Sequence, residues 1–251
     1  MKLLGHGWVA VNAVPDGNNK LLILGSILPE IMYYATGHPF EFKEIHEGGD
    51  KVYKYLGKER LEWTDLGLGM LAHSVKMGAD YFNLDDNLKI LGYKGDKVDE
   101  LRIKLTQVLG VSYEIAKTRA HNILELAVEL RIIEENPEFV DEFNSAIADG
   151  KVRAGVKEIL ADCFKKDKEK VAKSVDDLLG KAKPDYFKSA IGLANLWAEL
   201  SRQFDPQFDT NELAKLLKGL QESYLGKDRE FLEKCITRTR ANLEKFVNTN
   251  L

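Results

Sequence analysis

The sequence predicts an all-α protein, a multi-helix bundle. Only 6 prolines interrupt its 251 residues, and runs of β-branched residues are short. Apolar residues recur at helical spacing, and no strand pattern rises above that signal. The length fits one large domain or a main domain with an extension. We expect a helical core over residues 1-136 and a helical C-terminal part over 137-251 packed on it as one unit. A hydrophobic share of 44% can cover a sizeable core.

Taken in order, the segment before Lys20 carries no strong periodic pattern, and His6 within it is either a ligand or part of a frayed end. The turn Pro15-Asp16-Gly17-Asn18-Asn19 leads into an apolar helix over 20–36. Pro29 lies inside that helix and should kink or divide it. A loop follows at Thr36-Gly37-His38-Pro39, then a helix over 40–56 weakened by Gly48 and Gly49. Thr64 starts a helix rich in small and apolar residues, expected to run to about residue 82. Residues 83–110 are more polar and suit a loop with a short helix. A long helix over 111–135 ends before Asn136-Pro137. Further helices are expected at 137–148, 151–163, 167–179, 184–203, 210–223 and 227–247, separated by Gly, Pro and Asp breaks.

The net charge of -4 excludes the broad positive field of a nucleic-acid binder. Lys165, Lys166, Lys168, Lys170 and Lys173 are interrupted by Asp167 and Glu169, which reads as a solvated helix face. Cys163 and Cys235 follow no metal spacing and read as free thiols of a reducing compartment. The N-terminal apolar run is too short for a signal peptide, and the longest apolar run, Leu21 to Leu28, is too short to span a bilayer. A cytoplasmic protein without a transmembrane segment is expected.

All five histidines, His6, His38, His46, His73 and His121, fall in the first half of the chain. Neutral imidazole offers a lone pair near neutral pH, which makes histidine the commonest transition-metal ligand. His121 and Glu125 are four apart on the long helix and share a face, and Glu129 extends it by one turn. His73 sits in the apolar segment Leu71-Ala72-His73-Ser74, where a histidine is either a satisfied core residue or a ligand. Asp80 is seven residues on. In a continuous helix it would lie about 10 Å along the axis, too far to share an ion with His73. His46 and Asp50 share a face if their segment is helical. Glu30 follows a run of apolar and small residues and needs a partner if buried. His38, before Pro39, reads as a loop residue.

The order of these motifs carries more than any one of them: Gly-His near the start, Leu-Gly-Ser-Ile-Leu-Pro-Glu, an isolated histidine, Gly-Met-Leu-Ala-His, then His-x-x-x-Glu. Over residues 1 to 130 this resembles the zinc-dependent phospholipase C family, itself similar in fold to the S1/P1 nucleases. The resemblance implies an all-helical fold of that type and a three-zinc site that hydrolyses phosphate esters. It implies His6, Glu30, His46, His73, His121 and Glu125 as metal ligands. The sequence departs from the family pattern in three ways. Met77 stands where a bridging aspartate follows the central-helix histidine by four residues. Glu30 replaces an aspartate. Trp8 follows His6, whereas secreted members begin with a ligating tryptophan. One or two ions are therefore expected in place of three, with other divalent transition metals as alternatives to zinc.

The function expected is a zinc-dependent hydrolase acting on a small phosphoester or a phospholipid headgroup. Bound zinc would acidify water and neutralise phosphoryl charge. Glu30, Asp50 or Asp80 would act as general base. The alternative is a catalytically inactive, metal-stabilised binding or scaffold module, which Met77 favours. A plain helical interaction protein is a third reading. No phosphate-cradling glycine loop and no His-Asp doublet occur, and no stable nucleic-acid complex is expected. Residues 150 to 251 carry no recognisable chemistry. Three roles are open to them: covering the site, completing the core, or joining copies of the chain into a homo-oligomer.

Overall fold

A computed structural model describes residues 2–83, 90–92, 95–202, 208–224 and 226–250, and among these no strand occurs. The first helix, α1 (Leu3–Ala13), lies where the sequence carried no periodic signal. It is apolar on nearly all sides, so it has no amphipathic stripe to read, and it is buried among neighbours instead. His6 is therefore a fully buried helix residue, not part of a frayed end.

Helix α2 (Asn19–Ile27) is capped by the Asn18 side chain, which accepts from the Leu21 N–H. Pro29 divides the expected 20–36 helix: a 3-10 turn over Leu28–Glu30 separates α2 from α3 (Ile31–Tyr34). The expected 40–56 helix is also two, α4 (Phe42–His46) and α5 (Gly49–Glu59). Helix α6 (Thr64–His73) stops nine residues short of its expected end. Ser74 leaves helical geometry with ψ 154°. Its hydroxyl accepts from the Met77 N–H and its carbonyl from the Gly78 N–H, closing a tight turn. A 3-10 segment, Ala79–Asn83, follows.

The remaining helices are α7 (Asp96–Leu109), α8 (Tyr113–Glu135), α9 (Pro137–Ala148), α10 (Gly150–Phe164), α11 (Lys168–Lys181), α12 (Ala190–Ser201), α13 (Thr210–Ser223) and α14 (Lys227–Asn250). The expected 184–203 helix is broken after a 3-10 turn at Pro184–Phe187, where the Ser189 hydroxyl caps α12. Part of the polar 83–110 stretch lies outside the described residues. The basic stretch forms surface ion pairs, Lys166 with Glu44 and Lys173 with Asp177, as a solvated face does. Cys163 and Cys235 are buried free thiols.

Helices α1, α2, α6 and α8 form the centre, and α1 touches each of the others. The second half wraps this centre: α9 lies on α2, α10 on α5, α11 on α3, α12 and α13 on α8, and α14 on α1. One apolar core runs from Leu3 to Cys235. No described helix is long and apolar enough to cross a membrane.

The closest packing is between α2 and α6. A Cβ built on Gly25 would sit 2.2 Å from the Leu66 carbonyl oxygen, and one on Gly69 would sit 2.4 Å from that of Leu22. Two glycines thus bring the helix backbones into contact, and this contact sets the position of the histidine at the end of α6.

Candidate metal centre

His73 closes α6 with its Nδ1 2.7 Å from the Ser26 carbonyl oxygen on α2. Nδ1–H donates to it, so in neutral His73 the lone pair is on Nε2, pointing away from α2. Nε2 lies 3.1 Å from Asp80 Oδ2, without hydrogen-bond alignment. The expectation that Asp80 is too far from His73 to share an ion fails. It assumed a continuous helix, and the turn at Ser74 folds the chain back on itself.

Asp80 presents its two oxygens to different histidines. Oδ1 is 3.4 Å from His6 Nε2, and Oδ2 is 3.7 Å from His46 Nδ1 as well as close to His73. Glu30, held by the 3-10 turn after α2, lies 3.8 Å from His6 Nε2. The ligand atoms of His6, Glu30 and His73 all lie within 4.8 Å of one another, and so do those of His46, His73 and Asp80. The rings pack together: His6 stacks on His73 at 3.9 Å between centroids, and His46 meets His73 edge-on at 5.0 Å. Phe42 stacks on the outer face of His46 at 4.3 Å.

All five side chains are buried. Among the described residues, both ring nitrogens of His6, both of His46 and Nε2 of His73 are buried without a hydrogen-bond partner. A buried polar atom left unmade costs roughly 1–3 kcal/mol, so five in one place require an explanation. Burial, then the charge of His73, holds His6 well below the ordinary histidine range and His46 down to about 4. Both are therefore neutral imidazoles at physiological pH. Burial alone would also lower His73, but the Asp80 carboxylate outweighs it and raises it. Asp80 shows the reciprocal effect: burial opposes ionisation, yet His73 holds it well below the carboxylate range. Burial raises Glu30. Neutral imidazoles and a firmly ionised carboxylate converging on one buried point suit a divalent transition metal.

A cavity of about 430 Å³ opens beside the cluster, with Glu30, His46 and Asp80 on its lining. His121 and Glu125 of α8 line the same cavity, as do Lys2 and Arg119. Neither His121 nor Glu125 belongs to the two close trios. Lys2 Nζ lies 3.8 Å from Glu125 Oε2. Burial would raise the Glu125 carboxyl, but the charge of the terminal amine, then Lys2 and His121, hold it below its ordinary value. Glu129, one turn on, is fully buried and turned away from the cavity. Its Oε1 accepts the Gly5 N–H at 2.7 Å, a free donor of the first turn of α1, and burial pushes its carboxyl up to about 7.

Asp50 is not part of this arrangement. The chain breaks between α4 and α5, so Asp50 does not share a helix face with His46, and it does not line the cavity. His38 also stays apart, with its Nδ1 at 3.1 Å from the Phe40 carbonyl oxygen. Met77 packs at the edge of an apolar cluster with Leu243 and Phe246.

The turn carrying Asp80 is held from outside by α14. The Arg238 guanidinium lies 3.6 Å over the Tyr81 ring and donates to the Lys76 carbonyl oxygen, and the Asn242 amide donates to that of Met77. The sequence reading missed this clamp and the cavity-lining roles of Lys2, Tyr33, Phe42, Trp197 and Ser201. For the last two a signal existed: Trp197 and Ser201 are four apart on one helix and so share a face.

No family model matches the chain, and no curated protein or solved structure matches it either.

Proposed function

We propose that the chain is a metal-dependent hydrolase of phosphate esters, with zinc as the ion and a fold of the phospholipase C and P1 nuclease type. The observation that carries this reading is the set of five buried imidazole nitrogens around Glu30 and Asp80 that have no hydrogen-bond partner among the described residues. A divalent ion held there supplies Lewis acidity, acidifying water and neutralising phosphoryl charge. His6, His46, His73, Glu30 and Asp80 are the residues that would hold it. Asp80 faces His6 with one oxygen and His46 and His73 with the other, so it can serve two neighbouring ions. This is the role the resemblance gives to the residue at Met77, supplied here seven positions after His73 in place of four. His73 offers a single lone pair, since Nδ1 is committed to Ser26, and this argues for one or two ions in this cluster.

His121 and Glu125 face the same cavity and complete the set of ligands that the resemblance implies. Lys2 and Arg119 bring positive charge to the cavity and would bind and orient a phosphate there. Glu30 and Asp80 serve here as ligands, and neither is assigned as the general base. Asp50 does not line the cavity.

Metal analysis of the purified protein, with hydrolysis of p-nitrophenyl phosphate and its bis ester, tests the reading. Wild type and His38→Ala should carry zinc and activity. His73→Ala should lose the metal and at least about 100-fold in activity. Equal metal content in all three proteins, or none in any, would refute it.

A further inference from the structure

Three residues of the second half of the chain, Trp197, Leu200 and Ser201, line the cavity beside the proposed metal cluster. Trp197 and Ser201 lie one turn apart on α12, so their side chains share a face, and both line the cavity. Trp197 is 6% exposed and Ser201 4% exposed. Neither the indole Nε1 nor the hydroxyl Oγ has a hydrogen-bond partner among the described residues. A buried indole N–H finds a partner in most proteins, because leaving it unmade forfeits its hydration. Two such groups, adjacent and turned into the same cavity, have the form of a recognition subsite waiting for its ligand.

Their chemistry defines that ligand. The indole N–H only donates, so it requires an acceptor; the hydroxyl can donate or accept. Around them the wall is apolar, with Leu200 and Tyr34 on the lining. Lys2 and Arg119 share the lining with Glu30, Asp80 and Glu125, so the choice of ligand at this wall falls to the indole N–H and the hydroxyl, which an oxygen-rich group satisfies and a quaternary ammonium does not. We propose that Trp197 and Ser201 bind the organic part of an anionic phosphoester through its hydroxyl or carbonyl oxygens, while the phosphate lies toward the histidine cluster and the two cations. The substrate class is then a small, oxygen-rich phosphate ester such as a polyol phosphate. A quaternary amine offers the indole N–H no acceptor, so its ester should bind less tightly at this subsite. This inference rests on the hydrolase reading for the placement of the phosphate.

Calorimetric titration of the zinc-loaded protein with glycerol 2-phosphate, inorganic phosphate and phosphocholine tests it. Glycerol 2-phosphate should bind more tightly than the other two. Trp197→Phe and Ser201→Ala should each weaken glycerol 2-phosphate about three- to tenfold, the loss of one neutral hydrogen bond, and leave the inorganic phosphate affinity within about twofold. Unchanged thermal unfolding of both variants confirms that they fold. The inference is overturned if glycerol 2-phosphate binds no better than inorganic phosphate, if phosphocholine binds best, or if both variants keep wild-type affinity. The hydrolase reading is judged separately, by metal content and by turnover of p-nitrophenyl phosphate. A protein that hydrolyses the aryl ester yet shows no preference for the polyol ester would keep that reading and lose this one.

Discussion

A buried carboxyl can hold structure as firmly as a ligand does. Glu129 accepts the Gly5 N–H and so secures the start of α1 one residue before His6. Its pKa is raised to about 7, so the folded protein holds a proton that the unfolded chain releases near the ordinary glutamate value of 4.5. Stability is then highest below the unfolded value, falls as pH rises from about 4.5 to 7, and levels off above. Glu129→Gln keeps the acceptor and removes the titration. In chelator-treated protein this variant should be more stable than wild type at pH 8 by up to about 3 kcal/mol, with the advantage shrinking toward pH 5. Denaturant unfolding at the two pH values checks this. Equal curves for the two proteins at pH 8 would show that Glu129 is not desolvated as the structure has it.

At the scale of elements, the decisive feature is the end of α6. Small and apolar residues through Gly78 gave the sequence no visible stop, so a helix to residue 82 was the natural expectation. The stop comes from Ser74, whose side chain and carbonyl replace the lost helical bonds within four residues. Such local competition between side chain and backbone is hard to weigh from residue types alone. Pro29, Pro137 and the Gly48-Gly49 pair were legible as breaks because proline and glycine act through sterics that need no tertiary context. His6, His46 and His73 were legible as one group only through motif order, and α1 had no stripe to betray it. Gly78 makes the reversal possible: a Cβ there would sit 2.0 Å from the Ala72 carbonyl oxygen. Gly78→Ala should therefore displace the turn, costing roughly 2 kcal/mol or more, and move Asp80 out of the cluster. Thermal unfolding should show the first effect, and reduced zinc content the second. Normal zinc binding in a destabilised variant would mean that Asp80 is dispensable.

For the whole molecule, the cluster draws on four separate segments: α1, the turn after α2, the end of α4, and the end of α6 with its return. An ion gripping all four is available to the folded state alone, so binding and folding are linked. Zinc at about a thousand times its dissociation constant adds about 4 kcal/mol, which for a chain of this size raises Tm by roughly 10 °C. Calorimetry with and without a chelator measures the shift. An identical Tm under both conditions would contradict a site shared by these helices.

The clamp that α14 places on the Asp80 turn also bears on how the protein is made. Arg238 and Asn242 grip backbone positions more than 160 residues earlier. On the ribosome, at about 5–20 residues per second, those earlier positions wait roughly 10 to 30 seconds for their clamp to be synthesised. During that interval the three histidine-bearing segments of the cluster have emerged while the return that brings Asp80 to His73 lacks its outer support. The order of synthesis thus gives the histidines to the cell first and the last carboxylate restraint later, so metal capture by the nascent chain and final closure of the site are separate events in time.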